Sequence, residues 1–204
     1  DRYFQIAPCF RDEYSPADRS PGEFYQLDLE MSFVEQDHVL ETMEVLFPEV
    51  FSKFTKKKIT PVPFPRYRWD DAMAQFGTDK PDLRNPLRIQ NLSEIFKGTT
   101  FRVFREVLDK AGAVYCIKLD LQQIPPRKYF DDTVETFLRD SGFGLAYLSF
   151  DAQSHKGTLA KFVSEDEVAA LRSQLGIKGT SVLFFSAGDP KKILPELGRL
   201  LPKF

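Results

Sequence analysis

Cysteine and histidine are scarce in this sequence. Its 204 residues include two cysteines and two histidines. Two well-separated cysteines do not make a disulfide scaffold, and neither Cys9 nor Cys116 lies in a CxxC pair or near a histidine. We therefore expect a reducing compartment and no zinc site. His38 and His155 are isolated along the chain, and we expect neither to be catalytic.

Long apolar runs and an excess of positive charge are also missing. No run approaches the roughly 18 apolar residues of a membrane span, and the first ten residues lack the basic-then-apolar order of a signal peptide. The net charge is −2, so any basic surface is local. One basic cluster is either a solvated helix end, which we favour, or a phosphate-facing surface: Lys56, Lys57, Lys58, Arg66 and Arg68.

Aromatic residues are abundant, and they favour a folded, globular chain. The order of its strand and helix patterns predicts the α+β class. The sequence contains 20 Phe and 7 Tyr, too many for a chain that does not collapse. Two strand-like runs, at residues 2–10 and 23–34, flank a polar loop and predict a wide antiparallel hairpin. In the second run Tyr25, Leu27, Leu29, Met31 and Phe33 share one face. The opposite face has Phe24 at its start and then Gln26, Asp28, Glu30 and Ser32.

The rest of the chain mixes helix and strand signals. Pro48 interrupts the first helical pattern and predicts a kink or a restart there. The irregular, proline-containing stretch at 79–86 predicts a domain boundary, with one domain at 1–86 and another at 87–204. The predicted helices are 37–56, 69–76, 127–140, one after the capping box Ser164-Glu165-Asp166-Glu167, and 193–201; the predicted strands are 101–107, 114–121, 145–150 and 181–186.

The end of the first strand is where chemistry is expected. Arg11 follows this strand, and an arginine there can donate a fork of hydrogen bonds to a phosphate or carboxylate. A sheet face with Gln26 and Asp28 is costly unless it is wet or binds something polar, and Phe24 beside it can stack on a planar ligand. These residues describe a pocket for an anion, an aromatic ring and an amine. A sheet with one solvent-exposed polar face remains the alternative.

Two strings resemble a known family. Residues 2–34, R-Y-F-Q-I-A-P-C-F-R-D-E followed by A-D-R-S-P-G-E-F-Y-Q-L-D-L-E-M-S-F-V, resemble motif 2 of bacterial aspartyl-tRNA synthetases, which are class II aminoacyl-tRNA synthetases. Residues 77–86, G-T-D-K-P-D-L-R-N-P, resemble the segment that follows motif 2 in that family. The remainder is similar to the family's inserted, GAD-like α+β domain. The resemblance implies a partial antiparallel class II catalytic core at 1–86 and the inserted domain at 87–204.

The resemblance implies a role for each matching residue of the nucleotide site. Arg11 would bind the ATP α-phosphate and the aspartate carboxylate, as the motif 2 arginine does. Glu13 would meet the adenine amino group with Asp12 beside it, and Phe24 would stack on adenine. Asp28 would hold the ammonium group of aspartate.

The resemblance also implies partners. The loop after Glu13 would approach the acceptor end of tRNA(Asp), with Arg19 as its contact. The expected activity is ATP- and Mg²⁺-dependent activation of L-aspartate and its transfer to tRNA, by a homodimeric cytoplasmic enzyme of bacterial or organellar origin. The family's anticodon-binding OB-fold, motif 1 and motif 3 are not found in these residues, so we expect a part of a longer enzyme that is inactive alone. There are two alternatives. One is a non-catalytic RNA-binding or interaction module built on the inserted domain, and the other is a relative that activates asparagine or charges both Asp and Asn tRNAs.

Overall fold

The protein is described by a computed structural model, which covers residues 1–12, 22–151 and 154–204. It contains two compact units, Asp1–Arg66 and Tyr67–Phe204. Both are built from antiparallel sheet and helices. The predicted α+β class is therefore confirmed.

The first unit begins with the predicted hairpin. Strand β1 (Arg2–Phe10) pairs antiparallel with strand β2 (Glu23–Met31) in a two-stranded sheet. The pairing runs from Arg2 opposite Met31 to Phe10 opposite Glu23, and the Arg11 amide extends it by donating to the Gly22 carbonyl at 2.7 Å. Strand β2 ends before the predicted residue 34, because the backbone at Phe33 turns into the left-handed region with φ of 58°.

A long helix follows the hairpin. Helix α1 (Gln36–Phe54) continues through Pro48, so the predicted restart at this proline is not observed. The segment after the helix returns to it. The guanidinium of Arg66 lies 2.7 Å from the Asp37 carboxylate, and the Phe64 amide donates to Glu44 Oε1 at 3.1 Å. None of the described residues of this unit is buried.

The second unit has a five-stranded antiparallel sheet between two layers of helices. Its strands are β3 (Ile89–Asn91), β4 (Ala113–Asp120), β5 (Ala146–Phe150), β6 (His155–Lys156) and β7 (Ser181–Gly188). They lie in the order β3-β4-β7-β5-β6, and every pairing is antiparallel. The helices are α2 (Trp69–Phe76), α3 (Arg102–Asp109), α4 (Arg127–Ser141), α5 (Glu165–Gln174) and α6 (Pro190–Leu200), followed by a 3₁₀ turn at Leu201–Lys203.

Two apolar clusters cover the two faces of this sheet. Because successive side chains of a strand point to opposite faces, β7 gives Phe184 to one cluster and Phe185 to the other. Helices α4 and α6 cover the first cluster, for example with Phe137 and Leu197. Helices α3 and α5 cover the second cluster, with Phe104 and Leu171.

Residues 101–107 form a helix instead of the predicted strand. Phe104 is buried in the second cluster, and Phe101 and Leu108 pack against it. The spacing of these three residues places them on one helical face. Arg102 and Glu106, one turn apart, pair at 2.6 Å on the surface. Tertiary packing thus overrides the strand preference of the aromatic and branched residues in this stretch.

The second unit begins at Tyr67, whereas the sequence places a boundary after residue 86. Helix α2 belongs to this unit because it packs on α6. Gly77 and Gly198 allow this close packing: Gly77 has φ of 67°, and a Cβ on Gly198 would lie 2.5 Å from the Phe76 carbonyl oxygen. The irregular stretch at 79–86 also belongs to this unit, since Nδ2 of the Asn85 side chain donates to the Leu201 carbonyl at 3.2 Å.

Candidate functional site

The hairpin has one apolar and one largely polar face. Directly opposite residues of an antiparallel pair project to the same side, so the register decides which side chains share a face. Phe4, Ile6, Tyr25 and Leu27 lie on the apolar face, and each is exposed. The other face has the side chains Tyr3, Gln5, Ala7, Cys9, Phe24, Gln26, Asp28 and Glu30. We call this second set the polar face.

Asp28 is at the centre of a hydrogen-bonded group on the polar face. Gln5 stands directly opposite Asp28, and its Nε2 donates to Asp28 Oδ2 at 3.0 Å. Gln26, two residues earlier on the same strand, donates to Asp28 Oδ1. These two hydrogen bonds, first that of Gln5 and then that of Gln26, lower the pKa of the Asp28 carboxyl below its ordinary value. Asp28 is therefore an ionised acceptor held by two neutral amides.

Arg11 and Phe24 lie together near the loop end of the polar face. The guanidinium carbon of Arg11 lies 5.6 Å from the centroid of the Phe24 ring, a cation–π arrangement. Phe24 is half-buried and stands opposite Cys9. The face thus combines a cation and a ring with an ionised carboxylate farther along the strand.

The other predicted site residues divide into described and undescribed positions. Asp12 follows Arg11 and is exposed. Glu13 and Arg19 lie outside the described residues, so their predicted contacts with adenine and tRNA stay predictions. The structure brings Arg11 to Phe24 and surrounds Asp28 with amides.

Sequence reasoning missed two side chains of this group, Tyr3 and Gln5. The hydroxyl of Tyr3 donates to Gln5 Oε1 at 3.1 Å, and Gln5 in turn donates to Asp28. Tyr3, Gln5 and Arg11 all occupy odd positions, so the alternation of a strand predicts that their side chains share one side. This pattern could have identified Tyr3 and Gln5 from the sequence. The pairing of Gln5 with Asp28 also depends on the register, which strand periodicity alone does not determine.

The predicted basic cluster is divided between the two units. Arg66 belongs to the first unit and pairs with Asp37, at 2.7 Å, and more distantly with Glu44. Lys56, Lys57 and Lys58 follow helix α1, near the negative end of its dipole. Arg68 is the second residue of the second unit. These positions agree with the favoured interpretation of a helix end for the three lysines.

Cys116 and the two histidines have structural surroundings in the described residues. Burial raises the pKa of the Cys116 thiol, which keeps it protonated and inert. The Nδ1 atom of His38 accepts a hydrogen bond from the Glu35 amide at 2.9 Å, at the start of α1. The ring centroid of His155 lies 6.0 Å from that of Phe150 at the sheet edge.

Among the helices that the structure describes, none is both long and apolar enough to cross a membrane.

The polar face and its loop end combine a guanidinium, an aromatic ring and an ionised carboxylate on an antiparallel sheet, a set that is complementary to a charged, planar ligand. The model of the family "tRNA synthetases class II (D, K and N)" matches residues 1–178. The chain is 42% identical over 201 residues to the aspartate–tRNA(Asp/Asn) ligase of Rickettsia bellii, covering 98% of this chain and 33% of that protein. It is 45% identical over 187 residues to the ligase of the same name from Chlorobium phaeovibrioides, covering 92% of this chain and 31% of that protein.

The chain belongs to the class II tRNA synthetase family. The match begins at the hairpin and extends through most of the second unit, so both units are family sequence. The chain spans about a third of the length of the curated relatives that it matches.

Proposed function

We propose that the complete protein containing this chain is an aspartate–tRNA ligase, which activates L-aspartate with ATP and transfers it to tRNA. The polar face of the hairpin supports this proposal most directly. Arg11 there offers a cation and Asp28 offers an anion held by two amides. A free amino acid has a carboxylate and an ammonium group, so these two residues are complementary to its charges.

The reaction asks mainly for positioning and charge neutralisation. The carboxylate of aspartate attacks the α-phosphate of ATP, a new C–O–P bond forms, and pyrophosphate leaves. Arg11 would orient both reacting groups and neutralise negative charge that builds up in the transition state. The guanidinium carbon of Arg11 lies 5.6 Å from the centroid of the Phe24 ring. The group that would bind the phosphate and the ring that would stack on adenine are therefore neighbours.

Magnesium is expected with ATP from the family resemblance. In the part of the chain that the structure describes, no three His, Cys, Asp or Glu side chains are grouped so as to hold a metal ion. We propose tRNA and a second copy of the enzyme as partners, and a bacterial cytoplasmic location, on the resemblance and the bacterial relatives alone.

Aspartate-dependent ATP–pyrophosphate exchange by the complete gene product tests this function. We expect Arg11→Ala to lower exchange on the order of a hundredfold or more, because a charge-assisted fork is lost where charge accumulates. Arg11→Lys should fail as well, since an ammonium does not reproduce the fork. Arg102→Ala removes an exposed arginine of the second unit and is the matched control, with exchange unchanged. Near-wild-type exchange in either Arg11 variant would overturn the assignment.

A ligase that charges both tRNA(Asp) and tRNA(Asn) is a second candidate. The names of both reported relatives favour it, because each is called an aspartate–tRNA(Asp/Asn) ligase. Charging of purified tRNA(Asn) with aspartate separates the two candidates. Formation of Asp-tRNA(Asn) at a rate near that of Asp-tRNA(Asp) would establish the broader activity.

A further inference from the structure

Three side chains form a directional hydrogen-bonded chain across the hairpin. Tyr3 OH donates to Gln5 Oε1 at 3.1 Å, and Gln5 Nε2 donates to Asp28 Oδ2 at 3.0 Å. A glutamine amide has an accepting end and a donating end. Because Tyr3 occupies the accepting end, the donating end of Gln5 is directed toward Asp28. We call these three residues the relay.

The relay leaves Asp28 able to receive another donor. An ionised carboxylate has about four lone-pair directions, and Gln5 and Gln26 use one on each oxygen. The remaining directions are available to a ligand with several N–H donors, such as an ammonium group. Both amides are neutral, so they orient the carboxylate without cancelling its charge, whereas a lysine or arginine in their place would cancel it.

We propose that Gln5, oriented by Tyr3, is a positioning residue that aims the Asp28 carboxylate at the ammonium group of the amino acid substrate. The inference rests on the proposed function, in which Asp28 binds that ammonium. Tyr3 and Gln5 are exposed, so their truncation leaves no buried polar atom without a partner. Their effect should therefore fall on substrate binding more than on folding.

Steady-state ATP–pyrophosphate exchange by the complete gene product tests the role of Gln5. In Gln5→Leu we expect the KM for aspartate to rise about tenfold, the range of one hydrogen bond to a charged group. The KM for ATP and kcat should stay within about twofold of wild type, because the nucleotide contacts are intact. A folding defect lowers the amount of active enzyme, and hence apparent kcat, and leaves the KM for aspartate unchanged. An unchanged KM for aspartate in Gln5→Leu overturns the proposal.

The role of Tyr3 is tested by a double-mutant cycle. We expect Tyr3→Phe alone to raise the KM for aspartate about threefold, the value of one neutral hydrogen bond. In the Gln5→Leu background the same change should have no further effect, since Tyr3 acts through Gln5. Equal effects in the two backgrounds would remove Tyr3 from the relay. Tyr25→Phe is the matched control, because Tyr25 lies on the opposite, apolar face.

Asp28→Asn distinguishes failure of the relay from failure of the proposed function. If Asp28→Asn raises the KM for aspartate and Gln5→Leu does not, the function stands and the relay is overturned. If the wild-type protein gives no aspartate-dependent exchange, or if Asp28→Asn leaves the KM for aspartate unchanged, the proposed role of Asp28 is wrong and the relay falls with it. A rise in both variants supports both proposals.

Discussion

The two units differ in how much of their side-chain surface is buried. Residues 1–66 hold the polar face with Arg11 and Asp28, but none of their described side chains is buried. Residues 67–204 hold two apolar clusters around a five-stranded sheet, and every described buried residue belongs to this unit. The candidate site thus lies on the unit in which no described residue is buried.

The exposed apolar face of the hairpin gives this difference a physical meaning. Phe4, Ile6 and Tyr25 are 66%, 66% and 74% exposed, although strand residues of this type usually pack on a core. A two-stranded hairpin is marginally stable in water without such packing. In the second unit the same kinds of residue, such as Phe184 and Phe185, are fully buried. The comparison predicts that the two units respond differently to separation and to substitution.

Separation of the units should give the largest effect. Expressed alone, residues 67–204 should fold and unfold cooperatively, because their strands and helices enclose two apolar clusters. Residues 1–66 alone should lack slow-exchanging amides, because no side chain in their described part is buried. Amide hydrogen exchange of both pieces by NMR measures the difference. Protected β1–β2 amides in the isolated 1–66 piece would contradict the comparison.

The same substitution, phenylalanine to alanine, tests the difference in burial at one position of each unit. Phe184→Ala should cost about 3–5 kcal/mol of unfolding free energy, the range for a buried phenylalanine, because Phe184 is fully buried and stacks on Phe204 with centroids 4.9 Å apart. Phe4→Ala should cost less than about 1 kcal/mol, as at other exposed positions. Urea unfolding of the 204-residue chain measures both. Equal losses for the two variants would show that the hairpin is packed as tightly as the sheet.

Patterns with a local cause were predicted well. The hairpin, the helix stop at Gly77 and the capping box at Ser164 follow from alternation, from a left-handed residue and from a side-chain acceptor. The strand at 181–186 follows from a short apolar run that needs cover on both faces. These features depend on residues close in sequence, so one sequence suffices to find them.

Features that depend on distant contacts were predicted poorly. Residues 101–107 were predicted as a strand. Phe104 lies in a helix instead, with its ring buried in the second cluster. The boundary after residue 86 was placed on proline content, but Asn85 is bonded to Leu201. Arg11, Phe24 and Asp28 were named from the sequence, and their roles stay predictions, whereas Gln5 was missed because its partner lies across the hairpin.

The capping box of α5 allows a prediction of intermediate size. Ser164 Oγ accepts from the Glu167 amide at 3.2 Å, and Glu167 Oε2 accepts from the Ser164 amide at 2.7 Å. Ser164→Ala should lower the unfolding free energy of the second unit by about 1 kcal/mol, the usual value of an N-cap. Ser173→Ala is the matched control in the same helix, where alanine is a better helix former and no loss is expected. Urea midpoints of isolated 67–204 compare them, and equal midpoints would dismiss the cap.

The smallest expected effect concerns the lowered pKa values of two carboxyls, Asp28 in the first unit and Asp82 in the second. Hydrogen bonds from the Arg84 side chain, and then from its backbone amide, lower the pKa of Asp82 to about 2, whereas neutral amides lower that of Asp28. Each carboxyl titrates below its unfolded value, so each contributes stability above that value and loses it as the pH falls through the folded pKa. Asp82 is exposed, and Asp28 is half-buried with only neutral donors, so we expect no measurable change in the unfolding midpoint from either.

The salt dependence of these two pKa values distinguishes a charged donor from neutral donors. At about 1 M salt the screening length is about 3 Å, so the pKa of Asp82, which has a charged partner, should rise toward its ordinary value. That of Asp28 should move less, because its donors Gln5 and Gln26 are neutral. Carboxyl carbon NMR titrations of the 204-residue chain at low and high salt measure both shifts. Arg84→Gln should reproduce the effect of salt on Asp82 and leave Asp28 unchanged. An equal salt response of the two carboxyls would mean that Asp28 also has a cationic partner, and that the polar face orients its carboxylate with charge instead of with amides.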